Sequence, residues 1–278
     1  MEYYKKHNII NKTTFFHKGV RDDINIDVYI CNTTKSLVLN KIKNNNYSEN
    51  TLDYWETDDI ESAWKSTYDD DLRRFNLLKN IKYNTLLDFG CGNGGLLNLF
   101  SHKKNLYGIE LNKNLINILN NKNFNIYSNI DDIDIKSFDC ITLFHVLEHL
   151  YDPIEVLKKI KSKMNKNSVL IIEIPHANDI LIKEFNSTSF KKFTFWSEHL
   201  ILHTEQSILN LLNIIGFSNI NITYVQRYNI FNHFYWLSNN KPGGHKNTHF
   251  NDDNLIHSYN NFLKKNKLTD TLIIYCKI

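Results

Sequence analysis

Four groups of residues in this sequence have types and spacing suited to chemistry. The first, Asp88-Phe89-Gly90-Cys91-Gly92-Asn93-Gly94-Gly95, is its chemical centre. Glycines let a backbone turn sharply and leave room for a ligand to lie against it. A helix opening just behind them adds free N–H groups and a partial positive charge. Gly90-x-Gly92-x-x-Gly95 also satisfies the dinucleotide pattern, which alone is a weak signal, and a plain strand-to-helix turn would use the same residues. The second is Glu110, eighteen residues after Gly92, where a strand-end carboxylate either accepts hydrogen bonds from ribose hydroxyls or simply stands exposed. The third, His145-x-x-Glu148-His149, matches a zinc-protease pattern letter for letter. That protease carries the run on a helix, whereas here it follows a strand at once and precedes a helix cap at Asp152, so a protease is not expected. Metal-free acid–base work, a divalent cation and structural hydrogen bonding remain open for these three residues. The fourth is Trp196-Ser197-Glu198-His199-Leu200, where His199, or His203 beyond it, either completes such a site or packs beneath a loop.

The elements that must position these residues begin near position 83. TLLDF (85–89) reads as a strand and GGLLNLF as the helix after the glycines; NLYGIE (105–110) and NKNLINILNNK repeat the pattern. A strand near 125–128 and another within FDCITLFHVL (138–147) follow. Asp152-Pro153 supplies an N-cap and a proline at the first helical position. That helix carries Leu157, Ile160 and Met164 on one face, and its lysines at 158, 159, 161 and 163 read as a solvated face. VLIIEI (169–174) is apolar at nearly every position, as a strand buried on both sides should be. A helix starts at Thr204, places Ile208, Leu211, Leu212 and Ile215 at helical spacing, and stops at Gly216; strands at about 219–225 and 271–277 finish the chain. Alternating β and α elements with apolar strands predict a doubly wound, mostly parallel α/β sheet, whose ligands bind beyond the carboxyl ends of the strands. The expected division is an extension or cap over 1–80 and a core over 81–278, with segments 176–203 and 226–262 on the substrate side.

Composition narrows the rest. The chain has 278 residues and a net charge of +3, which suits one large domain or a domain with an extension. Its positive charge is almost all lysine, with arginine only at 21, 73, 74 and 227, and no basic stripe of the kind that binds nucleic acid is evident. The longest apolar runs are too short to span a bilayer, and the first residues show no secretory apolar region. Cys31, Cys91, Cys140 and Cys276 are widely spread without a C-x-x-C pair, as expected of reduced thiols in a cytoplasmic protein.

Taken together, LLDFGCGNG, YGIE, Asn129-Ile130-Asp131, FDCITLFHVLEHLYDP and SVLIIEIP resemble the class I S-adenosylmethionine (SAM)-dependent methyltransferases, over about 80–278. The resemblance implies a Rossmann-like sheet with its last strand antiparallel, and SAM as the cofactor. It implies that Gly90, Cys91, Gly92 and Gly94 hold the methionine part and that Asp88 supports its ammonium. Glu110 would bind the ribose, Ile130 and Asp131 would flank the adenine, and Leu111 and Phe144 would also belong to the cofactor site. Some relatives carry E-x-x-E-H where this chain has His145, Glu148 and His149, and bind a divalent cation there; His145 stands in place of the first glutamate. Gln226-Arg227-Tyr228, Asn232-His233, Trp236-Leu237 and Lys241-Pro242-Gly243-Gly244-His245 resemble a run found in methyltransferases of surface-polysaccharide gene sets. Aromatic faces among Asn, Arg and His suit a sugar, though a lid or an oligomer contact would use them equally. Arg21-Asp22-Asp23 with Cys31 resembles the start of a small metal-ribbon extension whose other cysteines are missing, so no zinc is expected there.

These readings predict methyl transfer from SAM to an oxygen of a small polar acceptor in surface-polysaccharide biosynthesis, a sugar or a phosphate-bearing group, such as a nucleotide sugar or another activated carbohydrate. His145, Glu148, His149 and His199 are the catalytic candidates, since a histidine with a pKa of about 6.5 can take the hydroxyl proton. A metal-free site is expected, with a divalent cation as the variant reading. The extension is expected to cover part of the site with Tyr54, Trp55, Trp64 and Tyr68. An NAD-dependent sugar oxidoreductase would share the glycine loop and Glu110 but needs a hydride-transfer constellation, such as a Tyr/Lys pair, that is not convincingly placed here. A non-catalytic SAM-binding protein would need no acceptor site, and the His, Trp and Tyr content of 190–245 speaks against it.

Overall fold

The structure, a computed structural model, describes residues 1–42, 59–100, 105–246 and 252–278. Its strands are β1 (Thr13–His17), β2 (Val28–Cys31), β3 (Leu37–Leu39), β4 (Leu86–Phe89), β5 (Leu106–Ile109), β6 (Asn125–Tyr127), β7 (Phe138–Phe144), β8 (Met164–Pro175), β9 (Ile201–Leu202), β10 (Ser218–Val225) and β11 (Thr271–Lys277). The helices are α1 (Glu2–Lys6), α2 (Ile60–Leu78), α3 (Gly95–Leu99), α4 (Lys113–Asn121), α5 (Pro153–Ser162), α6 (Ile180–Lys183), α7 (Thr188–Thr194), α8 (Glu205–Ile215), α9 (Ile230–Asn239) and α10 (Asp253–Lys265). The main sheet has the order β10-β11-β8-β7-β4-β5-β6 and is mostly parallel with antiparallel strands at its end. This is the doubly wound α/β arrangement expected from the alternating pattern. β4 pairs in parallel with both β5 and β7, and β5 with β6, so the chain winds outward from β4 and then resumes on its other side. The reversal of strand order falls between β4 and β7, the place where such sheets bind ligands.

By contact density the chain forms two units. One comprises Asn44–Val146, Glu155–Ile171 and Tyr275–Ile278. Its core is built from strands buried on both faces, with Leu86, Leu87, Ile141 and Leu143 fully enclosed. Each such side chain contributes roughly 1.5–3 kcal/mol of hydrophobic stabilisation. Asn112 caps α4 by accepting from the N–H groups of Asn114 and Leu115 at 2.9 and 3.3 Å, which turns Leu115 and Leu119 inward. Helix α2 belongs to this unit. The contact division therefore does not follow the expected boundary at 80.

The other unit comprises Met1–Lys43, Leu147–Ile154 and Ile172–Ile274. It holds a small antiparallel sheet of order β1-β2-β3-β9, in which Leu37 and Val38 pair with Leu202 and Ile201. In α8 the Ser207 hydroxyl accepts from the Thr204 N–H at 3.0 Å, and Gly216 ends the helix with φ of 79°, as its position just past the last apolar residue predicts.

One local expectation changes. Met164 is not on α5, which ends at Ser162; it opens β8, which is longer than the VLIIEI run. Residues 176–203 contain α6, α7 and β9 between irregular stretches, and α9 and most of α10 fall within 226–262. These elements are short or have mixed faces, so their periodicity is weak; β9 exists because β3, far away in sequence, pairs with it.

Candidate functional site

In the first unit the loop after β4 takes the backbone path that its glycines permit. Gly90, Gly92 and Gly94 all have positive φ, at 80°, 54° and 72°, a region open mainly to glycine. A Cβ on Gly90 would stand 2.3 Å from Val146 Cγ2, so the cradle excludes a side chain. The N–H groups of Gly90 and Cys91 donate to the Ile109 carbonyl at 2.8 and 2.9 Å, which fastens the loop to the end of β5. Glu110 follows directly. One of its carboxylate oxygens accepts from the N–H of Leu111 and of Asn112 (2.8 and 2.9 Å), and the other accepts from the Gly92 N–H at 3.0 Å. A hydroxyl donor arriving at this carboxylate meets an acceptor already oriented by three backbone amides.

Asp88 ends β4 almost fully buried, and the Thr142 hydroxyl donates to it at 2.7 Å. Burial pushes its carboxyl up to about 6, opposed by the Thr142 hydrogen bond and by the Arg74 guanidinium. A buried carboxylate of this kind is a strong partner for a ligand cation. The remaining cofactor candidates are placed as follows. Cys91 is buried, with its sulfur over Gly108, where a Cβ would approach it to 2.7 Å. Ile130 is buried, whereas Asp131 is exposed and lies 3.6 Å from Lys159. Leu111 is also exposed, and Phe144 is buried at the end of β7.

Sequence reasoning named Trp64 but missed the rest of its face of α2. Trp64, Thr67, Asp71 and Arg74 recur at three- and four-residue spacing and meet the glycine loop and its surroundings. Trp64 Nε1 donates to the Asn93 carbonyl (2.7 Å), Asn93 Nδ2 donates to the Thr67 hydroxyl (3.1 Å), and Thr67 donates to Asp71 (2.6 Å). Asp71 covers Gly95, where a Cβ would stand 2.2 Å from its carboxylate oxygen. The Arg74 guanidinium lies 3.8 Å from Asp71 and 5.1 Å from the centroid of the Phe144 ring. The loop therefore has both a carboxylate, Asp88, and a guanidinium, Arg74, for a zwitterionic ligand. The amino-acid end of SAM fits that donor set, and its ribose fits Glu110. The signal for this face was available as helical spacing, but its residues are polar and read as a solvated surface. Of the four aromatic residues expected to cover the site, Tyr54 and Trp55 lie outside the described residues; Trp64 meets the loop, and Tyr68 is exposed.

In the second unit three of the catalytic candidates come together. One ligand atom each from Glu148, His149 and His199 lie within 4.8 Å of one another. Glu148 is fully buried, and His149 Nε2 is 4.0 Å from its carboxylate. The His149 and His199 rings stand 4.8 Å apart at 71°, and Trp196 packs edge-on against both. The main chain sets this approach, since the Leu200 N–H donates to the Glu148 carbonyl at 2.8 Å. His145 is not one of the three; it follows β7 with a left-handed φ of 56°. His203 is not one of them either. It is buried with Nδ1 3.0 Å from the Ser207 hydroxyl, and burial pushes its pKa down to about 4, so it is neutral at physiological pH.

The run at 226–245 is knitted around Asp270. Gln226 donates to Asp270 and to the Tyr228 carbonyl, both at 2.7 Å, and the N–H groups of Arg227 and Tyr228 also donate to Asp270. His233 Nδ1 lies 2.8 Å from the Tyr259 hydroxyl, and burial pushes this imidazole down to about 4. Gln226, Asn232 and His233 thus serve internal packing, while Tyr228, Phe234 and Leu237 stay exposed.

Comparison with known proteins bears on the family and the fold. The family model described as a methyltransferase domain matches residues 60–222, beginning with α2 and its loop-facing residues. A protein of Schizosaccharomyces pombe described as an uncharacterized methyltransferase is 26% identical over 175 residues, 56% of this chain and 61% of its own length. A ubiquinone biosynthesis O-methyltransferase of Coxiella burnetii is 35% identical over 89 residues, 28% of this chain and 38% of that protein. The chain thus spans less than two-thirds of the length of either relative. Among solved structures, a SAM-dependent methyltransferase of Archaeoglobus fulgidus superposes with TM-score 0.51 at 19% identity, covering 82% of this chain and 97% of that one. A SAM-dependent methyltransferase of Thermotoga maritima, described as a possible histamine N-methyltransferase, gives 0.54 at 12% identity, covering 82% and 96%. At these identities the superpositions speak for the fold. With the family model matching more than half of its length, this chain belongs to the methyltransferase domain family.

Proposed function

We propose that the protein transfers the methyl group of SAM to an oxygen of a small polar acceptor, with His149 or His199 receiving the acceptor's proton. The observation that carries this reading is the meeting of Glu148, His149 and His199 in a chain whose glycine loop follows Asp88 and hydrogen-bonds Glu110. SAM, when bound, supplies a methyl already activated by its sulfonium. The chain's own work is then binding and proton handling. Asp88 and Arg74 oppose the charges of the amino-acid end, and Glu110 accepts from the ribose. A neutral imidazole offers a lone pair to the acceptor hydroxyl, and the carboxylate of Glu148, 4.0 Å from His149, stabilises the imidazolium that results. The C. burnetii relative, an O-methyltransferase by description, supports an oxygen acceptor.

For the acceptor we favour a nucleotide sugar or another activated carbohydrate. Support comes from the resemblance of 226–245 to surface-polysaccharide methyltransferases and from the exposed Tyr228 and Phe234 within that run. The test is a screen of nucleotide-activated sugars with labelled SAM, beside calorimetry with SAM, its demethylated product and NAD. Tight NAD binding without SAM binding would sink the reading.

A second reading gives the same three side chains a divalent cation. Two imidazoles and a carboxylate form a donor set suited to a first-row transition ion. The His149 Nδ1 atom, buried without a protein hydrogen-bond partner, leaves that ring free of a competing contact on one side. A cation there would supply Lewis-acid polarisation of an acceptor oxygen. Methyl transfer that survives a chelator selects the histidine base; loss restored by added manganese or zinc selects the cation.

A further inference from the structure

We propose that the turn at Arg21 and Asp22 is a positioning clamp that sets the orientation of His149 and His199, an inference that rests on reading those histidines as the proton-accepting site. The turn is tight, with Val20 and Asp23 exchanging backbone hydrogen bonds at 3.0 and 3.3 Å. From it, Asp22 spends both carboxylate oxygens on one residue. Oδ1 accepts from the Ser197 N–H at 3.0 Å and Oδ2 from the Ser197 hydroxyl at 2.5 Å. Ser197 is 2% exposed while Asp22 stands at the surface, so a buried donor residue is held by a charged acceptor through a part-buried pair of bonds. The Arg21 N–H donates to the Phe195 carbonyl at 2.8 Å, and its guanidinium lies 4.8 Å from the Trp196 ring centroid and 5.5 Å from that of Phe193. Arg21 and Asp22 therefore hold the main chain at 195 and 197 and the side chain between them.

What they hold is the ring that touches both histidines. Trp196 stands 6.0 Å from His149 at 84° and 5.5 Å from His199 at 67°, and the His199 N–H donates to the Trp196 carbonyl at 3.0 Å. A second anchor lies three residues beyond the first. The Leu39 N–H donates to the Leu200 carbonyl (3.1 Å), while the Leu200 N–H donates to the Glu148 carbonyl (2.8 Å). His199 is bracketed between these anchors, both supplied by the first forty residues. Bracketing of this kind restricts the imidazole to a narrow range of directions, which is what a proton acceptor needs. A plain staple of the fold would share the contacts but would not need Arg21 stacked on Trp196, an aromatic ring that meets both histidines.

The experiment reads the imidazoles directly. Carbon-bound ring protons of the twelve histidines are recorded by NMR on the full chain, with His149 and His199 assigned from His149→Asn and His199→Asn. Trp196→Phe shows how far its ring current displaces them. Asp22→Ala and Arg21→Ala are expected to move the His149 and His199 signals toward their Trp196→Phe positions, leaving the buried His176, His203 and His233 where they were. Asp22→Asn keeps an acceptor for the Ser197 N–H and should give an intermediate displacement, so the idea stays testable if the alanine variant does not fold. With an acceptor in hand, Arg21→Ala should slow methyl transfer roughly ten- to a hundred-fold at unchanged SAM affinity. Signals of His149 and His199 that stay put in Asp22→Asn and Arg21→Ala would overturn the clamp, and so would an equal shift of all five histidines. If the two signals move while His149→Ala and His199→Ala both keep normal turnover, the clamp stands and the proton-acceptor reading fails.

Discussion

The glycine loop and the histidine site are built in opposite ways. Around the loop, most partners are near in sequence: Gly92 meets Glu110 at a separation of 18 residues, and Trp64 meets Asn93 at 29. Around His149 and His199, Ser197 is held by Asp22 at a separation of 175. A ligand-binding loop made from consecutive strand ends takes its geometry from local backbone rules, chiefly positive φ and the end of a parallel strand. A site drawn from distant loops has no local rule to hold it, so the chain supplies a separate scaffold. In this protein that scaffold is the small β1-β2-β3-β9 sheet and the turn between β1 and β2.

The contrast is broken most severely at the loop itself. Gly92→Val should abolish SAM binding in calorimetry, because valine at φ of 54° is strained and its side chain would occupy the backbone approach. The strand core should survive, as far-ultraviolet circular dichroism would show. Next in size, His149→Ala or His199→Ala should lower turnover by about 10²–10⁴ while SAM affinity stays nearly constant. Parallel losses in affinity and turnover would mean that the two regions are not functionally separate.

Smaller effects sharpen the comparison. Glu110→Ala should weaken SAM binding by about 1.5–3 kcal/mol, the range for hydrogen bonds to a charged group. Lowering the pH from 7 to 5 should weaken it about tenfold, because Asp88, raised to about 6 chiefly by burial, becomes protonated and loses its attraction for an ammonium. The sign is that of a raised carboxyl: ionising it in the folded state costs stability above about pH 6, and that cost fades as the pH falls toward the ordinary value of 3.8. Asp88→Asn should flatten the pH dependence of binding. Trp64→Phe, which removes the hydrogen bond to the Asn93 carbonyl, should cost about 1 kcal/mol of stability in denaturant unfolding.

The sequence by itself determined the alternating strands and helices, the doubly wound sheet, the glycine loop and Glu110. Those features follow from apolar runs, glycine spacing and helix starts and stops such as Thr204 and Gly216, all of which act over a few residues. It also named Glu148, His149 and His199, though not as a trio distinct from His145 and His203. Three results belonged to tertiary structure alone: the contacts of Thr67 and Asp71 at the loop, the pairing of β3 with β9, and the hold of Arg21 and Asp22 on Trp196 and Ser197. The first and third depend on polar or aromatic side chains whose partners no local pattern names, and the second on backbone pairing between strands far apart in the chain. A polar residue reads the same whether it faces water or a buried partner, and only the folded chain tells the two apart.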